Sequence, residues 1–183
     1  YSGQTFESET LTYGVDTIAT HLKNPWGIAF LPDGRMLVTE RAGEVLIFEN
    51  EELLPERIAI PDVYVQGQGG LLDIELHPDY DDNGWIYLSY AKKGEGGGGT
   101  AIARAKLEGN KFTGLEQLFA AQPLSESGVD FGSRIVFDGN GHMFFSSGER
   151  GTMSNAQTLE NHLGKVLRLH HDGKLPTDNP FVN

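Results

Sequence analysis

The sequence predicts an all-β fold built from propeller blades, and three observations support this class. Glycine is abundant at 24 of 183 residues, long amphipathic helical patterns are scarce, and one strand–turn–strand unit occurs three times. The units begin at Gly27, Gly70 and Gly132, so their starts lie 43 and 62 residues apart. Periods of this size suit four-stranded propeller blades with loops of variable length. A β-sandwich is the alternative fold, but it gives no reason for the unit to recur.

Each unit consists of an apolar strand, a turn and a second β-rich run, and each continues into a further strand. The predicted turns contain aspartate, asparagine or glycine, which tolerate the backbone conformations that tight turns need. The three units, in chain order, cover residues 27–38, 70–88 and 132–145, and the strands that follow them cover residues 43–48, 100–105 and 164–169.

Residues 1–183 are therefore expected to form a single partial propeller domain of about three four-stranded blades. Three blades cannot close a ring, because propellers contain about 4 to 8 blades. An open arc would also leave sheet edges and faces uncovered. We expect a second half or a second copy of the chain to complete the ring. The last residues follow a turn, which favours a boundary between blades.

The composition excludes several classes of partner. The net charge of −12 disfavours nucleic acid and anionic membranes, which bind through clusters of lysine and arginine. No run of 18 apolar residues is present, so we expect no membrane span. The chain has no cysteine, so neither disulfides nor thiolate metal sites can form.

Three local patterns have both a structural and a functional interpretation. The glycine run 94–99 lacks the Lys-Ser/Thr ending of a phosphate loop, which favours a hairpin loop. Adjacent residues on a strand point to opposite faces, so His170 and His171 are expected to be solvated rather than to share a metal. Oxygen ligands crowd residues 79–83 as in a Ca²⁺ site, but their spacing differs from an EF-hand, and an acidic turn is favoured.

Polar residues precede or follow the blade strands at positions that converge on the channel of a propeller. Gln66 and Gln68 lie in a glycine-rich segment whose backbone can approach a ligand closely, although a tight inter-blade turn explains it equally well. Asp130 lies at the equivalent point of the next blade, and Glu149 follows the strand after it. Asp130 and Glu149 could meet near the channel, or they could be exposed loop acids.

These motifs resemble the soluble quinoprotein glucose dehydrogenases and aldose sugar dehydrogenases, also called glucose/sorbosone dehydrogenases. The resemblance covers nearly the whole chain as the N-terminal half of the family fold. It rests on stretches distributed along the sequence, namely residues 24–34, 39–43, 67–73, 77–80, 164–169, 172–173 and 176–181.

The resemblance implies a six-bladed propeller that is periplasmic or secreted. It also implies pyrroloquinoline quinone (PQQ) as redox cofactor, Ca²⁺ to hold the quinone, and oxidation of aldoses to lactones with a histidine base. Gln68 matches a glutamine beside the quinone and the sugar. Most other quinone contacts and the Ca²⁺ ligands belong to the second half of the family fold, so we assign no metal ligand here and expect the isolated chain to bind neither group fully.

The sequence departs from the family at the catalytic pair. Asp130 stands where the family has its histidine base, and Glu149 stands where an aspartate orients that histidine. An ordinary aspartate has a pKa of about 3.9 and is a weak base, unless a neighbouring carboxylate raises that value. We therefore expect a PQQ-dependent sugar dehydrogenase, or a divergent relative with an impaired pair, whose isolated first half is inactive. The alternative is a non-catalytic propeller that binds a sugar or a protein partner.

Overall fold

The computed structural model describes residues 4–182, in which short antiparallel strands alternate with tight turns. A small hairpin of β1 (Thr5–Glu7) and β2 (Thr12–Gly14) precedes three larger sheets. The helices within the described residues are α1 (Tyr80–Asn83) and a 3₁₀ turn at Met153–Gln157. Both are far shorter than three turns of helix, as the sequence predicts.

The first blade is a four-stranded antiparallel sheet whose strands neighbour each other in chain order. It contains β3 (Pro25–Phe30), β4 (Met36–Glu40), β5 (Glu44–Glu49) and β6 (Glu52–Ala59). The predicted turn joins β3 to β4, and Gly34 adopts a φ of 92° there, which favours glycine. This blade confirms the first predicted repeat.

The second blade has the same architecture with longer strands. It contains β7 (Leu71–Leu76), β8 (Trp85–Gly94), β9 (Gly97–Glu108) and β10 (Lys111–Ala120), again in chain order. The glycine run forms the connection between β8 and β9, where Gly94 pairs with Gly97. The hairpin interpretation of that run is therefore confirmed.

The third blade has three strands within the described residues, where the repeat predicts four. It contains β11 (Gly132–Phe137), β12 (His142–Ser147) and β13 (Lys165–His170). After β13 the chain forms turns rather than a strand, because proline and aspartate interrupt the sequence and the Arg168 side chain binds the side chains of Asp178 and Asn179. The outermost position of this sheet is empty in residues 4–182.

Apolar side chains fill the space between successive blades. The core between the first and second blades includes Leu37, Ile47, Ile74 and Leu88, all fully buried. A smaller core between the second and third blades is dominated by aromatic and aliphatic side chains, namely Tyr87, Ile102, Ile135, Met143, Phe145 and Leu169. The blades therefore stack face to face, which brings their connecting loops together at one edge.

Position in the stack determines how each innermost strand is buried. Strand β7 is buried on both faces over residues 71–74, since it lies between two blades. Strand β11 alternates between buried and exposed residues, because its outer face has no sheet against it.

No helix in residues 4–182 has the length and apolar character needed to cross a membrane.

Candidate functional site

The loop before the second blade carries Gln68 and is packed tightly against the loop before the third blade. The Gln68 amide donates to the Gly128 carbonyl at 2.6 Å, and the Gly69 amide closes a turn onto the Gln66 carbonyl at 2.8 Å. A Cβ added to Gly67 would lie 2.3 Å from the Gly128 oxygen. Gly67 also has a φ of 56°, so both sterics and backbone conformation require glycine here.

Arg41, in the turn between β4 and β5 of the first blade, holds this loop from the other side. Its guanidinium donates to the Gly67 carbonyl, and its own carbonyl accepts from the Leu71 amide at 3.0 Å. A Cβ added to Gly70 would lie 2.2 Å from the Arg41 oxygen, so the two backbones touch. The loop that carries Gln68 is therefore fixed by contacts to both neighbouring blades.

The structure brings Gln68 and Asp130 together. The Asp130 backbone amide donates to Gln68 Oε1 at 2.9 Å. Asp130 has a φ of 56°, a left-handed conformation that aspartate tolerates better than most residues. Gln68 Oε1 accepts this bond, so the side-chain nitrogen Nε2 of Gln68 points away from Asp130. That nitrogen is available to donate to a ligand.

Arg150 fixes the other side of the Asp130 loop. Its side chain is 3% exposed, and its guanidinium donates to the Asp130 carbonyl and, at 2.7 Å, to Thr100 Oγ1. The guanidinium carbon lies 3.9 Å from the centre of the Phe131 ring, a cation–π contact. The Nε atom of Arg150 is buried without a hydrogen-bond partner in the described residues. Arg150 therefore connects the second blade to the loop that enters the third.

Glu149 follows β12 and lies beside Arg150. Its carbonyl accepts from the Thr152 amide and from Asn155 Nδ2, both at 3.2 Å. Burial lowers the pKa of Arg150 to about 10, although the charges of Asp130 and Glu149 oppose the shift. Arg150 thus stays protonated at neutral pH, near both carboxylates.

The described residues show no hydrogen bond between the carboxylates of Asp130 and Glu149. The structure places both near Arg150, and their direct meeting at the channel stays a prediction.

The site offers hydrogen-bonding groups rather than a cation-binding cage. Gln68 is exposed, and Asp130 and Glu149 are half-buried. Within residues 4–182, no three histidine or acidic side chains come together in a metal-binding group. The arrangement can therefore position a polar ligand through Gln68 and hold negative charge beside it.

Four histidines, His77, His142, His170 and His171, lie at the other end of the second and third blades. His170 stacks on His142, whereas His171 packs edge-on against His77 with ring centres 4.5 Å apart. The two adjacent histidines therefore point to opposite faces, as expected. The expectation that both are solvated is wrong for His171, whose Nε2 is buried between His77 and Phe137.

Sequence reasoning did not identify Arg41 and Thr100 as residues that hold the site. Arg41 sits in the segment after the first repeat, and Thr100 lies inside an apolar strand. The sequence gives little indication of either residue, because each acts through contacts to a blade other than its own. Only the stacking of blades makes those contacts visible.

Repeated antiparallel sheets stacked face to face, with a polar site where their loops meet, define this chain as part of a β-propeller. The family model for Glucose / Sorbosone dehydrogenase matches residues 22–183. The chain therefore belongs to the glucose/sorbosone dehydrogenase family.

Two curated relatives show the range of similarity. The aldose sugar dehydrogenase YliI of Escherichia coli (strain K12) is 39% identical over 176 residues, which cover 93% of this chain and 47% of the relative. The quinoprotein glucose dehydrogenase B of Acinetobacter calcoaceticus is 28% identical over 198 residues, which cover 91% of this chain and 41% of that protein. The chain spans about half the length of the curated relatives it matches.

Solved structures of the same class superpose on the chain. The apo-form of the soluble aldose sugar dehydrogenase from Escherichia coli matches with a TM-score of 0.84 at 40% identity, over 88% of this chain and 48% of that one. The PQQ-bound aldose sugar dehydrogenase from Streptomyces coelicolor matches with a TM-score of 0.76 at 28% identity, over 92% of this chain and 51% of that one. These matches confirm the propeller prediction for the fold.

Proposed function

We propose that this chain is the first half of a PQQ-dependent aldose dehydrogenase whose catalytic pair is impaired. The observation that carries the proposal is the hydrogen bond from the Asp130 amide to Gln68 Oε1, at 2.9 Å. It joins the residue that resembles the family's quinone-contacting glutamine to the residue at the position of the family's base. A quinone held there would supply the hydride acceptor for the C–H bond of the anomeric carbon, while a base takes the proton of the anomeric hydroxyl and the sugar becomes a lactone.

The residues present fit the quinone in part. Gln68 is exposed and uses its side-chain oxygen on Asp130, which leaves its side-chain nitrogen for a ligand. The space beside Gly67 and Gly69 is filled by Gly128 and Tyr64, so these glycines serve the packing of the loop. Arg150 cannot serve as a partner for the quinone carboxylates, since its guanidinium is buried and bonded to Asp130 and Thr100. The donor set of this chain therefore supplies one edge of a quinone site, and the second half of the propeller would supply the rest.

The chain's own residues do not fit Ca²⁺. The acidic turn at residues 79–83 forms the helical turn α1, and the imidazole of His77 accepts from the Asp79 amide and from Asn83 Nδ2. The carboxylates of the turn are exposed, and no three histidine or acidic side chains in residues 4–182 come together as a metal-binding group. We assign the Ca²⁺ ligands of the complete enzyme to its other half.

Two acids at the catalytic pair weaken proton abstraction from the sugar hydroxyl. A general base works best when its pKa lies near the operating pH, and imidazole meets that condition. Asp130 is also shorter than histidine, and its backbone is fixed on one side by Gln68 and on the other by Arg150. The carboxylate has little freedom to extend toward a substrate. The complete protein is therefore expected to oxidise aldoses slowly, in the periplasm or outside the cell.

A non-catalytic propeller is the second candidate, and the same two acids favour it. If the pair has been lost altogether, the loops around Gln68 and Asp130 bind a sugar or a protein without oxidising it. The two candidates differ in one measurable property, which is quinone-dependent turnover.

The test uses a chimera in which this chain is joined to the second half of the Escherichia coli aldose sugar dehydrogenase. The protein is loaded with PQQ and Ca²⁺, and dye reduction is measured with a panel of aldoses. We expect slow turnover, and Asp130→His with Glu149→Asp should raise the rate by roughly 10² to 10⁴, the range of general base catalysis. The matched control is Asp81→His, an exposed acid in α1 that should leave the rate unchanged.

Brisk turnover of the unmodified chimera, lowered by the double change, would show that Asp130 is a competent base. No turnover in either form, with sugar binding retained, would favour the non-catalytic propeller.

A further inference from the structure

Two asparagines in the chain precede a glycine, and the structure holds the two pairs in different ways. The pairs are Asn83–Gly84 and Asn140–Gly141. In such a pair the backbone nitrogen of the glycine can attack the side-chain carbonyl carbon of the asparagine, because glycine has no Cβ to obstruct the approach. The attack requires that the glycine amide and the asparagine side chain both be free to move.

The first of these pairs, Asn83–Gly84, has a hydrogen bond on every reacting group. The Gly84 amide donates to the Tyr80 carbonyl at 2.7 Å, which closes α1. Asn83 Nδ2 lies 2.8 Å from His77 Nδ1, and Asn83 Oδ1 accepts from the Trp85 amide at 2.9 Å. Asn83 is also half-buried. Cyclisation at this pair would have to break all three bonds.

The second pair, Asn140–Gly141, lies in the turn between β11 and β12 and has no such restraint. Asn140 and Gly141 are both exposed, and nothing lies within 4 Å of the Cβ position of Gly141. Within residues 4–182, neither the Gly141 amide nor the Asn140 side chain has a hydrogen-bond partner. The turn is held instead by Asp138, whose carboxylate accepts from the Asn140 and His142 amides, both at 2.9 Å. The reacting groups are therefore free, although the chain around them is held in place.

We propose that Asn140 is a site of spontaneous deamidation in the folded protein and that Asn83 is protected from this reaction. The Gly141 backbone nitrogen gives up its proton to the solvent and bonds to Asn140 Cγ. The bond between Cγ and the side-chain nitrogen breaks, and that nitrogen takes a proton from the solvent and leaves as ammonia. Water then opens the resulting succinimide ring at either carbonyl, which leaves aspartate or isoaspartate at position 140.

Either product changes one end of the third blade. Isoaspartate adds a carbon atom to the backbone of a turn in which the Asp138 amide donates to the His142 carbonyl at 3.0 Å and the His171 amide donates to the Gly141 carbonyl at 3.3 Å. Aspartate places a second carboxylate two residues from Asp138. The reaction therefore weakens the contacts between this turn and the residues after β13. The proposal does not depend on the proposed catalysis.

The experiment follows both asparagines in the intact chain. The folded protein is incubated at mildly alkaline pH, where more of the glycine amide is deprotonated, and parallel samples are incubated in urea. Tryptic peptides are then analysed by mass spectrometry for the mass increase that conversion of an amide to an acid causes. Asn140 lies in the tryptic peptide 135–150 and Asn83 in the peptide 58–92, so each site is measured separately.

We expect Asn140 to deamidate at least roughly tenfold faster than Asn83 in the folded chain, because the reactive conformation at Asn83 requires its hydrogen bonds to open. In urea the two rates should become similar. Asn140→Gln is the matched control, and it should abolish the modification of peptide 135–150 and leave the rate at Asn83 unchanged.

A further variant tests why Asn83 is protected. His77→Phe keeps a ring at position 77 but removes the acceptor of Asn83 Nδ2, so it should speed deamidation at Asn83 and leave Asn140 unchanged. An unchanged rate at Asn83 in this variant would overturn the protection of Asn83 by its hydrogen bonds.

The melting temperature gives a second, independent measurement. Aged wild-type protein should unfold at a lower temperature than fresh protein, whereas Asn140→Gln should keep its melting temperature over the same incubation. An unchanged melting temperature after Asn140 has reacted would overturn the effect on the third blade. Equal rates at the two asparagines in the folded chain, or a difference of the same size in urea, would overturn the proposed site. So would a folded chain whose peptide 135–150 stays unmodified for a time that converts it in urea.

Discussion

A single buried guanidinium orders the loop that carries Asp130. Arg150 bonds to the Asp130 carbonyl and to Thr100, and it lies over the Phe131 ring. Its positive φ of 60° shows that the backbone bends to bring it inward. The charge is held by carbonyl and hydroxyl dipoles and an aromatic face, and no carboxylate lies within ion-pair distance of it among residues 4–182.

Replacement of Arg150 by methionine tests this role. Methionine keeps the length and much of the apolar contact, but it leaves the Asp130 carbonyl without its charged donor. We expect a loss of about 1.5–3 kcal/mol in the free energy of unfolding, the typical value of hydrogen bonds to charged groups. Urea denaturation monitored by tryptophan fluorescence measures it. Arg57→Met, at an exposed arginine, is the control and should change stability by less than about 0.5 kcal/mol.

A loss for Arg150→Met no larger than that of the Arg57 control would show that the guanidinium contributes nothing to the fold.

At Gly148 the backbone comes very close to the backbone of Asp130. A Cβ at Gly148 would lie 1.8 Å from the Asp130 oxygen, far inside van der Waals contact. Gly148→Ala should therefore destabilise the protein by about 2–3 kcal/mol or displace the Asp130 loop. Gly139→Ala is the matched control, since nothing lies within 4 Å of its Cβ position. Thermal unfolding of both variants measures this difference in stability. Equal melting temperatures would contradict the close approach.

Candidate residues at the site could be named from the sequence, but most of their contacts could not be predicted. Gln68 and Asp130 were identified because each precedes the first strand of a repeat, and the structure joins them. The contact between Arg41 and the Gln68 loop, by contrast, depends on how two blades stack. No local sequence pattern encodes how two blades stack on each other.

At the scale of elements, the turn between β7 and β8 is organised by a histidine. The Nδ1 atom of His77 accepts from the Asp79 amide at 2.9 Å and from Asn83 Nδ2 at 2.8 Å. Both bonds require that Nδ1 carry no proton. Burial lowers the pKa of His77, and the neighbouring His171 adds to the effect, whereas Asp79 opposes it. The turn therefore depends on a neutral imidazole.

This arrangement predicts a loss of stability on acidification. The folded state has a lower His77 pKa than the unfolded value of 6.5, so the unfolded state binds more protons as the pH falls below about 6.5. The contribution is fully present above that pH and decreases as the pH falls toward the folded pKa. His77→Gln keeps an acceptor that does not titrate and should flatten the dependence between about pH 7 and 5. Melting temperatures of both proteins across this range provide the measurement.

NMR titration of His77 supplies an independent check on the same prediction. A folded pKa at or above 6.5 would contradict it, as would identical pH profiles for the two proteins.

The regular elements were more predictable than the site because each turn signal acts locally. The turn with Gly34 and the hairpin between Gly94 and Gly97 both formed where the sequence placed them. The missing fourth strand of the third blade was not predicted. The repeat predicts such a strand by analogy with the other blades. The residues after β13 form turns instead, because they contain prolines and bind the Arg168 side chain.

At the scale of the whole molecule, the arc of blades surrounds the candidate site on one side. Gln68 contributes one free donor at an exposed edge, and the cationic groups near it are already engaged, Arg41 with Gly67 and Arg150 with Asp130. A net hydrogen bond is worth only about 0.5–1.5 kcal/mol, whereas a Kd of about 1 μM requires roughly 8 kcal/mol. We therefore expect the chain alone to bind a tricarboxylate quinone weakly.

We accordingly predict that isothermal titration calorimetry finds a Kd for PQQ well above about 1 μM with the chain alone, with or without Ca²⁺. The chimera with the second half of the Escherichia coli relative should bind more tightly, because it closes the ring around the site. In the chimera, Gln68→Leu should weaken PQQ binding by roughly tenfold, since it removes the free amide donor. Gln66→Leu is the matched control, because Gln66 already bonds to Tyr64 and Glu126 and should affect binding less. Submicromolar affinity in the chain alone would mean that these three blades already hold a complete quinone site, and the assignment of the remaining contacts to the other half would be wrong.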